Sequence, residues 1–237
     1  MTKLLRFGCI TLFLFGFTSL FCQKKTVTET NNYLFWHQDR PLQPSDFKGS
    51  GSRFLKHNEY CNKYNMCTMA FVGIFSTLDV PTKVSNRGKL MEKYYFVPVF
   101  EKSSSYILKK DCAGVKKQQI IYDIYEISAR FARKKMKQYQ DSLEGYGSAT
   151  LVFKTVEADA AQFRTELVNA YTTDLYVNKN ENSYDLWRER INILLTNTEK
   201  YATKDEDYLR ALKKQPLSKK YTTPKQFIGD FNADERE

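Results

Sequence analysis

The chain has 237 residues, 37 Lys and Arg against 27 Asp and Glu, and a formal net charge of +10. That length supports one sizeable domain with its own core. A basic surplus favours anionic surfaces such as lipid head groups or acidic glycans, yet the pairs Lys109-Lys110, Lys116-Lys117, Lys213-Lys214 and Lys219-Lys220 are scattered, as on a solvated basic surface.

Residues 1–22 read as an export signal. Lys3 and Arg6 give a positive start, and Ile10 to Phe21 is an apolar run too short for a membrane span, which needs about 20 residues. Export argues against nucleic acid as a partner. Leu20-Phe21-Cys22 is a degenerate lipobox in which Cys22 becomes the lipidated first residue. A soluble product cut after Cys22 and a retained anchor stay open. One lipid chain would tether the domain without spanning the membrane, so the expected location is the periplasm, the outer membrane as a lipoprotein, or the medium. Gln23 to Asn32 is a polar linker. In an oxidising envelope two of Cys61, Cys67 and Cys112 can pair. A Cys61–Cys67 bridge needs a turn around Asn62–Asn65, because two cysteines that far apart in a straight strand cannot meet. No C-x-x-C spacing exists.

The domain proper is expected over 33–214. Leu34 to Gly49 carries Trp36, Leu42 and Phe47, which can plug the edge of a core, and Pro41 and Pro44, which block regular pairing; it reads as structural and not as a site. Residues 50–65 read as loop. Met66–Phe75 and Lys93–Phe100 are rich in aromatic and β-branched residues and predict strands, with Pro98 placing the second at a sheet edge or a bulge. Leu78–Gly88 is a turn-rich connection.

Lys116–Met136 is the longest helical pattern. Ile120, Ile121, Ile124, Ile127, Phe131 and Met136 form one apolar stripe, with Tyr122, Glu126, Arg130 and Arg133 off it. Asp123 and Glu126 share a face and could do acid/base work, but a Glu126–Arg130 pair supporting the helix is the plainer reading. Further helices follow at Asp159–Leu175, at Ser183–Leu195 capped by Ser183, and at Thr203–Lys214 with a Thr203/Glu206 capping box. The tail from Gln215 reads as polar and mobile.

Three stretches carry a resemblance. Trp36, Arg40-Pro41-Leu42, Asp46-Phe47 and Gly49 form the first. Lys117-Gln118 with Ile121, Asp123-Ile124, Glu126 and Ala129-Arg130 form the second. Tyr171 to Asn180, then Trp187, form the third. Together they resemble a family of bacterial envelope proteins common in Bacteroidetes, the domain of unknown function 922, whose helix reads H-E-Q-x-H-F-D-I-x-E-x-x-A-R. The resemblance implies a zincin-like α+β domain, a small mixed or antiparallel sheet packed on a long central helix with further C-terminal helices. It also implies a zinc site in which two His one turn apart hold the metal and the Glu activates water. Here Lys117 and Ile121 stand at the two His, Gln118 at the Glu, and Val177 at a third ligand. Those side chains cannot make a zinc hydrolase, so the resemblance implies a pseudo-peptidase without cofactor that binds a protein, peptide or glycan at the envelope. Glu126 and Asp174 are the possible polar residues of its cleft, either able to pair with Lys117. A purely structural surface lipoprotein and an enzyme with other, non-zinc hydrolytic chemistry are the alternatives. The only histidines, His37 and His57, lie far upstream, and no G-x-S-x-G elbow is present.

Overall fold

The computed structural model describes residues 28–50, 55–109, 112–142 and 146–225, with side chains from 58 onward in the first helix and from 113 onward in the second. Residues 1–27, which hold the expected export signal and Cys22, the side chains of His57 and Cys112, and the end of the tail from 226 lie outside the described residues. Among the described residues no helix is long and apolar enough to cross a membrane.

The fold is α+β. An antiparallel sheet of four strands runs in the order β1 (Tyr33–Phe35), β4 (Lys93–Glu101), β3 (Val72–Pro81), β6 (Tyr221–Thr222). A second antiparallel pair joins β2 (Thr68–Met69) to β5 (Tyr106–Ile107). The helices are α1 (Leu55–Tyr64), α2 (Cys112–Ser142), α3 (Ser148–Thr172), α4 (Ser183–Asn197) and α5 (Asp205–Lys213). A π-helical turn over Thr173–Asn178 ends α3.

Alternation along β4 sends neighbours to opposite faces. Phe96 packs with Ala129, Ala132 and Met136 of α2 and with Phe153 and Val156 of α3. Tyr95 and Val97 pack with Tyr208 and Ala211 of α5. Both faces of the sheet are therefore covered. On its far side α2 packs Ile120, Ile124 and Ile127 against Leu167 and Tyr171 of α3 and Trp187 and Ile191 of α4. With partners all round, α2 buries its polar stripe too: Tyr122, Glu126, Arg130 and Arg133 are all buried. The single amphipathic stripe read from the sequence is thus a partial picture, and the helix is central.

Several boundaries are corrected. Residues 55–64 form α1, not loop. Its last turn brings Cys61 to Cys67, and the two are joined by a disulfide; the reversal falls at Asn65, which takes a left-handed φ of 57°. The first strand splits into β2 and β3, and β3 continues through Leu78–Pro81 into the stretch read as a turn. Pro98 sits in an interior strand, in unbroken register with Ile74. Its carbonyl faces the β1 side and accepts from the Trp36 N–H at 3.2 Å, so the missing N–H points where β1 has already ended and removes no bond to β3. Asn182, not Ser183, caps α4; the Ser183 hydroxyl turns back to the Asn180 carbonyl at 2.6 Å. At α5 the cap moves one residue on, where the Lys204 N–H donates to Asp207 Oδ2 at 2.7 Å. The segment from Gln215, read as mobile, forms β6, and Thr223 donates to Asp79 Oδ1 at 2.8 Å beside Arg210. Gly49 is required by close approach: a Cβ there would lie 2.8 Å from the carbonyl oxygens of Ser103 and Ser105.

Candidate functional site

The four residues at the implied zinc positions are not gathered into a cleft. Gln118 is buried and points toward the β2–β3 connection, its Oε1 accepting the Ala70 N–H at 3.0 Å. Lys117 lies one helical step round, with Nζ 5.5 Å from the centre of the Tyr176 ring, and its carbonyl accepts from the Tyr171 hydroxyl at 3.0 Å. Ile121 packs into the apolar α2–α3–α4 cluster. Val177 sits on the π-helical turn with 61% of its surface exposed. These donors do not fit zinc: an ammonium over an aromatic ring, an amide oxygen already bonded, and two hydrocarbon side chains. Among the described residues no group of three or more His, Cys, Asp or Glu is placed to hold a metal ion.

Nor do Glu126 and Asp174 serve as partners of Lys117. Glu126 is fully buried. Its Oε1 accepts from Arg130 Nε at 2.7 Å, Arg133 Nη2 at 3.1 Å and the Thr203 N–H at 3.0 Å. Its Oε2 accepts from the Thr203 hydroxyl at 2.5 Å. The Glu126–Arg130 pair read from the sequence is present and is part of a larger junction tying α2 to the start of α5. Asp174 accepts from Trp187 Nε1 at 3.0 Å and Asn178 Nδ2 at 3.3 Å, and lines a small cavity of about 190 Å3 with Ser183 and Arg190.

A cavity of about 500 Å3 lies on a different face of α2. Gln119, Asp123 and Arg130 line it from α2, and Arg188, Asn192, Leu195 and Thr196 from α4. From the first residue of each set the others lie four, seven, eight or eleven positions on, so each is one helical face. The third wall is the segment Trp36 to Pro41, which the sequence marked as structural only. At its floor is Asp123. Its Oδ1 accepts from Trp36 Nε1 at 2.8 Å and from Gln119 Nε2 at 2.7 Å; its Oδ2 accepts from Arg188 Nη1 at 2.6 Å. Gln119 Oε1 in turn accepts the Leu42 N–H at 2.7 Å. Arg130 stacks on Trp36, its Cζ 5.2 Å from the ring centre, and donates to the Leu195 carbonyl at 2.6 Å. One carboxylate therefore fixes three walls at once.

Burial pushes the Asp123 carboxyl above its ordinary value, and Arg188, Trp36 and Gln119 pull it back only in part. With both oxygens engaged, Asp123 orients the site and has little capacity left to accept from a ligand. What remains is donor capacity: among the described residues nothing partners the buried Arg188 Nε. Chemically, such a pocket binds and orients. Trp36, His37, Gln119 and Arg188 were missed as site residues. The one available signal was that Trp36 and Asp123, a polar–aromatic pair too far apart in sequence to look related, both fall in the motifs that carry the resemblance. Among family models, curated proteins and solved structures, none matches this chain.

Proposed function

We propose that this chain is an exported, catalytically inactive zincin-like domain that works by binding a ligand at the cell envelope. The binding place is the α2–α4 cavity, and not the surface over Gln118 and Ile121 where the zinc chemistry would have been. The observation that carries the reading is the contrast between those two places. At the zinc positions Gln118 is bonded to backbone, Ile121 is packed in the core, Lys117 lies over a ring and Val177 faces outward, whereas the cavity beside them falls in the size range of small-molecule sites, roughly 300–1,000 Å3, and is lined by polar groups, several of them held by hydrogen bonds.

The test combines two measurements on the purified chain. Elemental analysis and calorimetry are expected to find no stoichiometric zinc and no heat of tight zinc binding. Thermal melts against a panel of short peptides, small acids, amines and oligosaccharides are expected to show stabilisation by some members, abolished by Asn192→Trp, which fills the cavity mouth from exposed α4. One tightly held zinc per chain, or melts that Asn192→Trp leaves unaffected, would overturn the reading.

A further inference from the structure

We infer that the α2–α4 cavity takes a small organic carboxylate on the Nε/Nη2 edge of Arg188; this rests on the binding reading above and names its ligand class. A guanidinium presents two N–H groups side by side on that edge, in the geometry that grips both oxygens of a carboxylate. The fold itself uses this edge once: Arg210 donates from Nε and Nη2 to the two oxygens of Asp79, at 2.7 and 2.8 Å. Arg188 is arranged differently. It holds Asp123 through Nη1 alone, and among the described residues nothing accepts from its Nε. Arg188 lines the cavity with its side chain one-quarter exposed, and since Nε is itself buried, binding requires the guanidinium to turn that edge outward.

A second donor in the cavity points to the same class. His37 Nδ1 accepts the Asp39 N–H at 3.1 Å, which in the neutral ring leaves the proton on Nε2, a donor, and His37 lines the cavity. A cationic ligand would need an acceptor, but both oxygens of Asp123 are engaged by three donors and its charge faces Arg188. The acidic residue left is Glu199, at the exposed rim. Pro41 and Leu195 give an apolar wall for the body of the acid.

The test titrates the purified chain with N-acetylphenylalanine, its neutral amide N-acetylphenylalaninamide, phenyl phosphate and phenethylamine, by calorimetry. The acid is expected to bind saturably and the amide at least about tenfold more weakly, as the loss of a charge-assisted hydrogen bond implies. Arg188→Lys keeps the positive charge opposite Asp123 but removes the two-pronged edge. It is expected to weaken the acid by about ten- to a hundredfold while circular dichroism stays native. Asn192→Trp, which leaves the Asp123–Arg188 pair untouched, is expected to abolish binding. Equal affinity for acid and amide, tighter binding of phenyl phosphate or the amine, or an Arg188→Lys protein that binds the acid as before would overturn the carboxylate assignment while leaving the binding reading standing. No binding by any of the four would overturn the carboxylate assignment, and together with panel melts that Asn192→Trp leaves unaffected would overturn both.

Discussion

Glu126 is the residue whose loss should be felt most. It lies between α2 and the start of α5, fully buried, with four donors within 3.1 Å: Arg130 Nε, Arg133 Nη2, and the backbone and hydroxyl of Thr203. Glu126→Ala removes the carboxylate and leaves two buried guanidinium groups facing one another. Breaking a buried ion pair from one side costs about 3–5 kcal/mol. At about 2–4 °C per kcal/mol for a protein of this size, Tm should fall by roughly 6–20 °C. Glu126→Gln keeps the volume and one acceptor oxygen, and the Thr203 hydroxyl can reverse to accept from the new amide. It should lose only the charge-assisted part, about 1.5–3 kcal/mol. The assay is urea unfolding followed by circular dichroism at pH 7, with thermal melts alongside. A loss under about 1 kcal/mol for Glu126→Ala, or equal losses for the two variants, would refute the claim that this carboxylate neutralises both arginines.

Other expectations follow from the same contacts. Arg210→Ala leaves Asp79 buried without its ionic partner and takes from Thr223 the Arg210 Nη2 bond, leaving it only its bond to Asp79, so it should cost about 3–5 kcal/mol and speed proteolysis of the C-terminal segment; unchanged cleavage kinetics would count against the anchoring role. Reducing or removing the Cys61–Cys67 bridge, which closes a loop of sequence separation 6, should cost about 2 kcal/mol by loop entropy, read by melts with and without reductant. Two carboxyls should respond to pH with opposite sign. Asp123 is raised, chiefly by burial, so its protonation favours the folded state, and its contribution is greatest below the unfolded value and lost as pH rises through the folded one. The gap between wild type and Asp123→Asn should therefore widen from pH 7 to about pH 3.5. Burial alone would raise Asp46, but Arg40 and the Gln43 N–H bring it below the ordinary value, so its contribution is present above the unfolded value and lost as acid protonates it; the gap to Asp46→Asn should narrow over the same range. Urea titrations at four pH values check both signs.

The sequence by itself determined the elements whose burial is periodic. The iron regularity of Ile120, Ile124 and Ile127, and of Phe163, Leu167 and Tyr171, marks helices because apolar faces must be covered. The aromatic, β-branched run of Lys93–Phe100 marks a strand for the same reason. The cysteine pairing stayed open in the sequence; the last turn of α1 and the left-handed Asn65 bring Cys61 to Cys67. Tertiary structure alone decided which polar residues go inside. Arg130, Arg133 and Glu126 look like a solvated helical face in one dimension, and become the interior because Thr203 and the Leu195 carbonyl arrive from far along the chain to satisfy them. The cavity has the same origin. Trp36, Asp123 and Arg188 are separated by 87 and 65 positions, and no spacing rule links them. Hydrogen bonds between distant side chains leave no period in a sequence, so a site built from them appears only once the chain has closed around it.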